Sequence, residues 1–183
     1  MNLKKNIRTK ISNQRPSKVL FFDESRFGTH SRIGYGWFER GTRPTTKIKV
    51  GYKNFYLYSS VDVSNGNNFS LILPKVNTDN MNIFLSELSK QYTDDSLLII
   101  MDSAGWHKSK ALIIPPNIKL TFLPPYSPEL NPVETLWLYI KKSILANKFY
   151  DTIESLEDAL CHFIHSLSDE IVRQICKTSY LSY

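Results

Sequence analysis

Residues 123–137 of this chain read LPPYSPELNPVETLW. The first three prolines of the stretch fix φ and remove backbone donors, so this part can form neither a regular helix nor a central strand. Asn131 is a favourable N-cap residue, and Pro132 suits the first position of a helix, where no N–H is missed. Glu134 would then lie in the first turn, near the positive end of the helix dipole. The stretch therefore predicts a stiff loop followed by a helix whose start positions a carboxylate.

Two short apolar runs upstream each end in an acid. Residues 19–22 (VLFF) lead to Asp23, and residues 97–101 (LLIIM) lead to Asp102. Such runs predict strands buried on both faces, and open α/β sheets place their ligands at the carboxyl ends of these strands. If the two strands are neighbours, both acids lie side by side, and Glu134 arrives from the helix downstream. Clustered carboxylates repel one another unless a cation is present, and oxygen ligands suit Mg²⁺ or Mn²⁺ rather than zinc.

These segments resemble the three signature blocks of DDE transposases, above all those of the mariner superfamily and its bacterial insertion-sequence relatives. The first block is Phe21–Phe27, the second is Ile100–His107 and the third is Pro124–Trp137. The resemblance implies a ribonuclease H-like fold and two divalent metal ions, with Mg²⁺ as the expected metal and Mn²⁺ as a substitute. It also implies cleavage and strand transfer of the DNA of a mobile element.

By position, the resemblance assigns the catalytic and metal-binding roles to Asp23, Asp102 and Glu134. One departure from the family pattern is Ser103, where relatives usually carry Asn. Serine keeps a hydrogen-bonding group but is shorter. Glu24 directly follows the first acid and would point to the opposite face of a strand. We therefore expect it to support the site or the fold rather than to join the triad.

Basic residues are concentrated in two zones on either side of Asp23. Residues 1–18 contain six Lys or Arg and no acid, and residues 26–53 contain seven against Glu39 alone. Such zones attract the phosphate backbone of DNA, although a solvated tail and a charged hairpin face would give the same pattern. For His107, a structural role near a strand end is the alternative to a DNA contact. The side chains expected to contact DNA are Arg26, Arg43, Lys47, His107, Lys108, Lys110 and Tyr126.

The order of predicted elements is that of an α/β domain with a mixed five-stranded sheet and helices on both faces. Strands are predicted near residues 18–23, 54–63, 69–73, 96–102 and 118–122, and a hairpin at 34–39 and 45–50. Helices are predicted near residues 78–91, 131–146, 152–166 and 169–176. In the helix at 131–146, Leu136, Trp137, Ile140 and Ile144 recur at helical spacing, which predicts a stripe that packs into the core.

We expect residues 1–17 to form a basic flexible arm and residues 18–183 to form the catalytic domain. No helix-turn-helix domain for DNA recognition is recognisable in the sequence. The resemblance implies that such a domain, fused or on a separate polypeptide, would recognise the element ends. It further implies double-stranded DNA as both donor and target, a possible homodimer, and a cytoplasmic, nucleoid-associated location in a bacterium.

The sequence predicts no membrane span, since it contains no apolar stretch of about 18 residues. The basic N-terminus is not followed by the apolar segment of a secretory signal. Cys161 and Cys176 show no metal-ligand spacing, which predicts reduced thiols.

Two other functions are compatible with these features. A truncated or catalytically silent remnant of a transposase could act as a DNA-binding or assembly protein, although the intact triad argues against decay. A cellular ribonuclease H-like nuclease or resolvase would share the fold, but the proline loop and its Asn-Pro-Val-Glu helix start favour a transposase. Mg²⁺-dependent nicking of DNA would distinguish an active transposase from a silent remnant. Preference for element ends over RNA–DNA hybrids or junctions would distinguish a transposase from a cellular nuclease or resolvase.

Overall fold

The computed structural model describes residues 9, 11, 16–30, 37–42, 45 and 51–178. The strands in this part of the chain are β1 (Lys18–Gly28), β2 (Asn54–Val61), β3 (Asn68–Leu73), β4 (Leu97–Met101) and β5 (Ile118–Phe122). The helices there are α1 (Thr78–Gln91), α2 (Val133–Ile144), α3 (Ile153–Ser166) and α4 (Asp169–Ile175). Short 3₁₀ turns lie at Gly105–Lys108 and Pro128–Leu130. Most of the predicted arm and hairpin lies outside the described residues. At two described positions the expected flexible arm must be corrected, because Thr9 and Ile11 are helical and Ile11 packs against the core.

The strands form one mixed sheet in the order β3-β2-β1-β4-β5. β1 pairs antiparallel with β2 and parallel with β4, and β4 pairs parallel with β5. In the parallel register Phe21 lies opposite Ile100. Asp23 and Asp102 each follow two residues later, so both lie just beyond the parallel pairing of β1 with β4.

Alternation along β1 divides the apolar core between the two faces of the sheet. Phe21 and Phe27 pack with the buried residues of α2, α3 and α4. Leu20 and Phe22 pack with the buried residues of α1. The predicted arrangement of a mixed five-stranded sheet with helices on both faces is therefore confirmed. Asp23 is two residues after Phe21 on the strand, so its side chain points to the same face of the sheet, which α2 covers.

The first strand is longer than predicted. It runs to Gly28, five residues beyond the expected end, because its second half pairs with β2 from Glu24 opposite Tyr58 to Gly28 opposite Asn54. A local pattern of apolar residues cannot reveal such pairing. The other strands and α1 lie within two residues of their predicted bounds.

The second helix begins later than predicted, at Val133, because Pro128–Leu130 forms a 3₁₀ turn and Asn131 keeps an extended backbone. Asn131 still caps the helix, since its Oδ1 accepts a hydrogen bond from the Val133 N–H at 3.2 Å. No helix within the described ranges is long and apolar enough to cross a membrane. Both cysteines are free thiols, as expected.

Candidate active site

A cavity of about 550 Å³ lies where the parallel pairing of β1 with β4 ends. Asp23, Asp102 and Glu134 all line it, together with Asn131 and the proline loop at 123–128. Asp23 lies in the middle of β1, Asp102 directly follows the neighbouring strand β4, and Glu134 comes from the first turn of α2. The structure thus brings together the three acids that the sequence singled out.

Asp23 is held against helix α2 by a buried tryptophan. Trp137 donates its indole N–H to Asp23 Oδ2, with an N···O distance of 2.7 Å. Burial, and next the negative charge of Glu134, raise the pKa of Asp23 to about 7, while the hydrogen bond from Trp137 opposes this rise. Near neutral pH the Asp23 carboxyl group is therefore divided between its two protonation states unless a cation stabilises the charge.

Asp102 is fixed through one of its two oxygens. Oδ1 accepts a hydrogen bond from the Ala104 N–H at 3.1 Å and lies 2.8 Å from His107 Nδ1. The hydrogen bond from His107 is the main reason why the pKa of Asp102 lies below its ordinary range. Oδ2 makes no hydrogen bond to any residue that the structure describes, and the side chain is 56% exposed. One oxygen is therefore held by the protein and the other is left available.

His107 lies buried between two acids. Its Nδ1 is 2.8 Å from Asp102 Oδ1, its Nε2 is 2.8 Å from Glu24 Oε1, and its side chain is 1% exposed. Burial alone lowers the pKa of His107, but the hydrogen bonds to Asp102 and Glu24 outweigh it and raise the pKa to about 9. The ring therefore donates from both nitrogens. The expectation that His107 contacts DNA must be corrected, because both nitrogens are engaged and the ring is inaccessible.

Glu134 stands exposed in the first turn of α2, and Asn131 anchors that turn to the sheet. Asn131 Nδ2 donates to the Phe22 carbonyl oxygen at 2.9 Å, and the side chain is buried. Phe22 directly precedes Asp23, so this bond fixes the start of α2 next to the first acid. Trp137 follows Glu134 by three residues and lies on the same side of the helix. Helix α2 thus supplies the acid Glu134 and also Trp137, which donates a hydrogen bond to Asp23.

The proline loop is joined to the end of β4 and exposes an aromatic ring at the cavity. Ser103 Oγ donates to the Leu123 carbonyl oxygen at 3.2 Å, so the shorter side chain at this family position still reaches the loop. Tyr126 lines the cavity, is fully exposed and has a φ of 56°. A left-handed backbone at a residue other than glycine is strained by about 1–3 kcal/mol, and such strain is common at functional sites.

Three of the other predicted DNA contacts belong to the described residues. Lys108 lines it, and its Nζ is 4.9 Å from the centre of the Phe122 ring. Arg26 and Lys110 are exposed but do not line the cavity. Arg43 and Lys47 lie outside the described residues.

Trp137 was not identified as a contributor from the sequence, whereas Glu24 was expected to support the site or the fold. Trp137 belongs to the buried stripe as predicted, but nothing in the spacing of that stripe indicates its bond to Asp23. Glu24 accepts hydrogen bonds from His107 and from the Trp106 indole N–H, the latter at 3.1 Å. Its position directly after Asp23, on the opposite face of the strand, was the signal for this expected supporting role.

The three acids suit a metal ion by their chemistry, although they are not arranged as a finished metal site. Among the described residues, no three His, Cys, Asp or Glu side chains form a group that could already hold a metal ion. Asp23 Oδ2 and Asp102 Oδ1 are engaged by Trp137 and His107 instead. A hard divalent cation would relieve the repulsion between Asp23 and Glu134, and carboxylate oxygens are the ligands that it prefers.

Comparisons with known proteins place the same residues in a family. The family described as DDE superfamily endonuclease matches residues 18–157. An uncharacterized protein, y4pE/y4sA of Sinorhizobium fredii, is 34% identical over 116 residues, which cover 63% of this chain and 86% of that protein. The transposable element Tc3 transposase of Caenorhabditis elegans is 26% identical over 174 residues, which cover 88% of this chain and 53% of that protein.

Solved structures share the fold. A pre-cleavage Mos1 transpososome has a TM-score of 0.74 at 16% identity, covering 96% of this chain and 56% of the Mos1 chain. An intasome of simian T-cell lymphotropic virus has a TM-score of 0.52 at 16% identity, covering 92% of this chain and 57% of that chain. The predicted ribonuclease H-like fold is confirmed by these similarities. The chain spans about half the length of the Tc3 transposase and of the Mos1 chain.

Proposed function

The chain belongs to the DDE superfamily of endonucleases, and from this premise we propose that it is a transposase catalytic domain that performs divalent-metal-dependent cleavage and strand transfer of DNA. The observation that carries the proposal is the single cavity lined by Asp23, Asp102 and Glu134. Phosphoryl transfer depends mainly on positioning and on neutralising charge, so three carboxylates at one site can serve it without a nucleophilic side-chain triad.

The three acids would hold two Mg²⁺ ions, for which Mn²⁺ can substitute. Asp23, Asp102 and Glu134 would supply the carboxylate ligands of these ions. When bound, the ions activate the attacking water or 3′-hydroxyl and stabilise the leaving 3′-oxygen. Structures of the Mos1 paired-end complex were solved with Mn and with Mg, which supports the choice of metal.

Residues at the rim of the cavity would bind the DNA. Lys108 carries a positive charge into the cavity wall, where it would contact a backbone phosphate. The exposed ring of Tyr126 would stack on a base or sugar near the scissile phosphate. Arg26 and Lys110 would contact the backbone further from the cavity, and Arg43 and Lys47 are also proposed as backbone contacts.

The chain would work as part of a larger assembly on double-stranded DNA. Residues 18–183 would form the catalytic domain, and the basic residues 1–17 would contact the DNA backbone. Base-specific recognition of the element ends would come from a helix-turn-helix domain, fused or on a separate polypeptide. A homodimer in the bacterial cytoplasm, associated with the nucleoid, would bring two ends together.

Cleavage of a labelled DNA duplex at low salt, in Mn²⁺ and in Mg²⁺, tests the proposal, with EDTA and Asp102→Asn as controls. Metal-dependent cutting that the substitution abolishes supports it. DNA binding without cutting in either metal would favour the silent DNA-binding protein. Cutting that survives the substitution would contradict the assigned site.

A further inference from the structure

We propose that Glu24 and His107 are positioning residues for Asp102. The pair holds Asp102 Oδ1 toward the protein and leaves Oδ2 for the reacting centre. This inference deepens the proposed metal-dependent cleavage and rests on it, but its geometry is independent of the triad assignment. Neither Glu24 nor His107 lines the cavity, so any effect of theirs on cleavage must pass through another residue.

The contacts form a continuous bridge from one strand to the next. Glu24 on β1 accepts from His107 Nε2 at 2.8 Å, and His107 Nδ1 meets Asp102 Oδ1, after β4, at the same distance. The 3₁₀ turn at Gly105–Lys108 places the imidazole between the two strand ends. The bridge therefore ties together the same two strands that deliver the first two acids of the triad.

The buried part of the bridge is itself fixed from several sides. The side chain of Glu24 is 6% exposed and that of His107 is 1% exposed. Trp106 donates its indole N–H to Glu24 Oε1, and the Phe22 ring packs edge-on against the imidazole with 5.7 Å between ring centres. A buried carboxylate is costly unless it is paired and hydrogen-bonded, and Glu24 is both. The rigid end of the bridge can thus restrain the exposed end, Asp102.

Asp102 needs such restraint because it is half-exposed on the loop after β4. The two hydrogen bonds to Oδ1, from His107 and from the Ala104 N–H, select one orientation of the carboxylate. Hydrogen-bonded partners behind a metal ligand orient it, and their loss typically lowers metal affinity or activity by about 10–100-fold. We expect His107→Ala to have an effect of this size.

The test compares four variants of the full chain: His107→Ala, Glu24→Ala, Glu24→Gln and the double variant Glu24→Ala/His107→Ala. Mn²⁺ affinity is measured by calorimetry, and kcat and KM for a DNA duplex are measured at saturating Mn²⁺. His107→Ala should lower Mn²⁺ affinity and kcat by about 10–100-fold and leave KM for DNA unchanged. Glu24→Gln should recover most of what Glu24→Ala loses, because the amide oxygen can still accept from His107.

The double variant separates a shared role from two separate roles. If Glu24 acts only through His107, the double variant is no worse than His107→Ala alone. Additive losses would overturn the inference, because Glu24 would then act on its own. Wild-type Mn²⁺ affinity and kcat in a folded His107→Ala variant would overturn it too. If that variant does not fold, equal losses in Glu24→Ala and Glu24→Gln would count against the bridge.

Failure of this inference is distinguishable from failure of the proposed function. If the wild-type chain neither binds Mn²⁺ nor cuts DNA, the proposed function fails and the bridge has no reaction to serve. If the wild-type chain does both and His107→Ala behaves identically, only the positioning role of the bridge is lost.

Discussion

Trp137 donates its indole N–H to Oδ2 of Asp23 over 2.7 Å, although the two residues are 114 positions apart in the sequence. Trp137 lies one helical turn after Glu134 on α2. The helix that delivers the third acid therefore also orients the first, and it does so from inside the core. Disturbing this contact should change the chemistry of the site more than the shape of the fold.

Trp137→Phe should destabilise the metal-free chain more at about pH 8, where Asp23 is ionised, than at about pH 5. The substitution keeps an aromatic ring in the core but removes the donor to Asp23. A hydrogen bond to a charged group contributes about 1.5–3 kcal/mol, whereas the smaller ring leaves a packing defect that does not depend on pH. Urea denaturation at the two pH values measures the difference.

The matched control for Trp137 is Trp106→Phe, which removes the other indole bond to an acid of β1. Trp106 is 37% exposed and its bond to Glu24 is longer, at 3.1 Å. We expect a smaller loss of stability from this control. An equal loss for Trp137→Phe at both pH values would mean that the bond to Asp23 contributes no charge-dependent stability.

Asn131→Ala should lower the free energy of unfolding by about 1–3 kcal/mol. The change removes the cap on the Val133 N–H and leaves the Phe22 carbonyl oxygen without its buried donor. Cleavage should fall as well, because Glu134 is no longer fixed against β1. Asn131→Asp keeps the cap acceptor but not the donor, so it should rescue only part of the stability. Full rescue by Asp would show that the bond to Phe22 is unimportant.

Asp23 should make the metal-free chain less stable as the pH rises toward neutrality. Its pKa is about 7 in the folded chain against an ordinary value of 3.8, so the folded state keeps a proton that the unfolded chain has lost. The stability that this proton contributes is complete below the ordinary pKa and is lost as the pH rises through about 7. His107, with its pKa raised to about 9, changes stability in the same direction, so a variant is needed to separate them.

Asp23→Asn supplies that separation. The variant should be more stable than the wild type at about pH 8 in EDTA, by at most about 4 kcal/mol, and the advantage should shrink toward about pH 4. Chemical denaturation across this range measures it. Identical pH profiles for the two proteins would contradict the raised pKa of Asp23.

Tyr126→Gly should weaken DNA binding without destabilising the fold. The ring is fully exposed, so its loss removes no packing, and glycine accepts the φ of 56° without strain. Loss of a base-stacking ring costs about 1–3 kcal/mol of binding free energy. Tyr126→Ala is the matched variant, since it loses the same ring but keeps the strain and should be less stable than Tyr126→Gly. Unchanged DNA affinity in both variants would remove Tyr126 from the interface.

Local sequence patterns predicted those parts of the fold that depend on local chemistry. The helix at Thr78–Gln91 and the strand at Ile118–Phe122 follow from apolar spacing and capping residues and appear as predicted. The extension of β1 to Gly28 depends instead on pairing with β2, which no pattern within residues 18–28 contains. The acids could be located because Asp23 and Asp102 directly follow apolar runs and Glu134 follows a recognisable helix start, although β1 continues past Asp23.

The contacts between the acids and their partners could not be predicted in the same way. His107 stands beside Lys108 in the sequence, which suggested a DNA contact, yet the fold turns it inward to an acid 83 positions away. Trp137 has the spacing of a core residue and is one, so its bond to Asp23 adds a role without changing its pattern. These hydrogen bonds join residues that are far apart in the sequence, so they form only when the chain has folded and local patterns do not indicate them.

The three-carboxylate metal site is tested most directly by a calorimetric titration of the chain with Mn²⁺, comparing wild type with Asp23→Asn, Asp102→Asn and Glu134→Gln. Glu129→Gln is the matched control, because Glu129 is an exposed acid just before α2 that does not line the cavity. Each triad substitution should weaken Mn²⁺ binding by more than the about 10–100-fold expected for a supporting residue, and the control should bind like wild type. Equal affinity in Glu134→Gln and Glu129→Gln would contradict a three-carboxylate metal site.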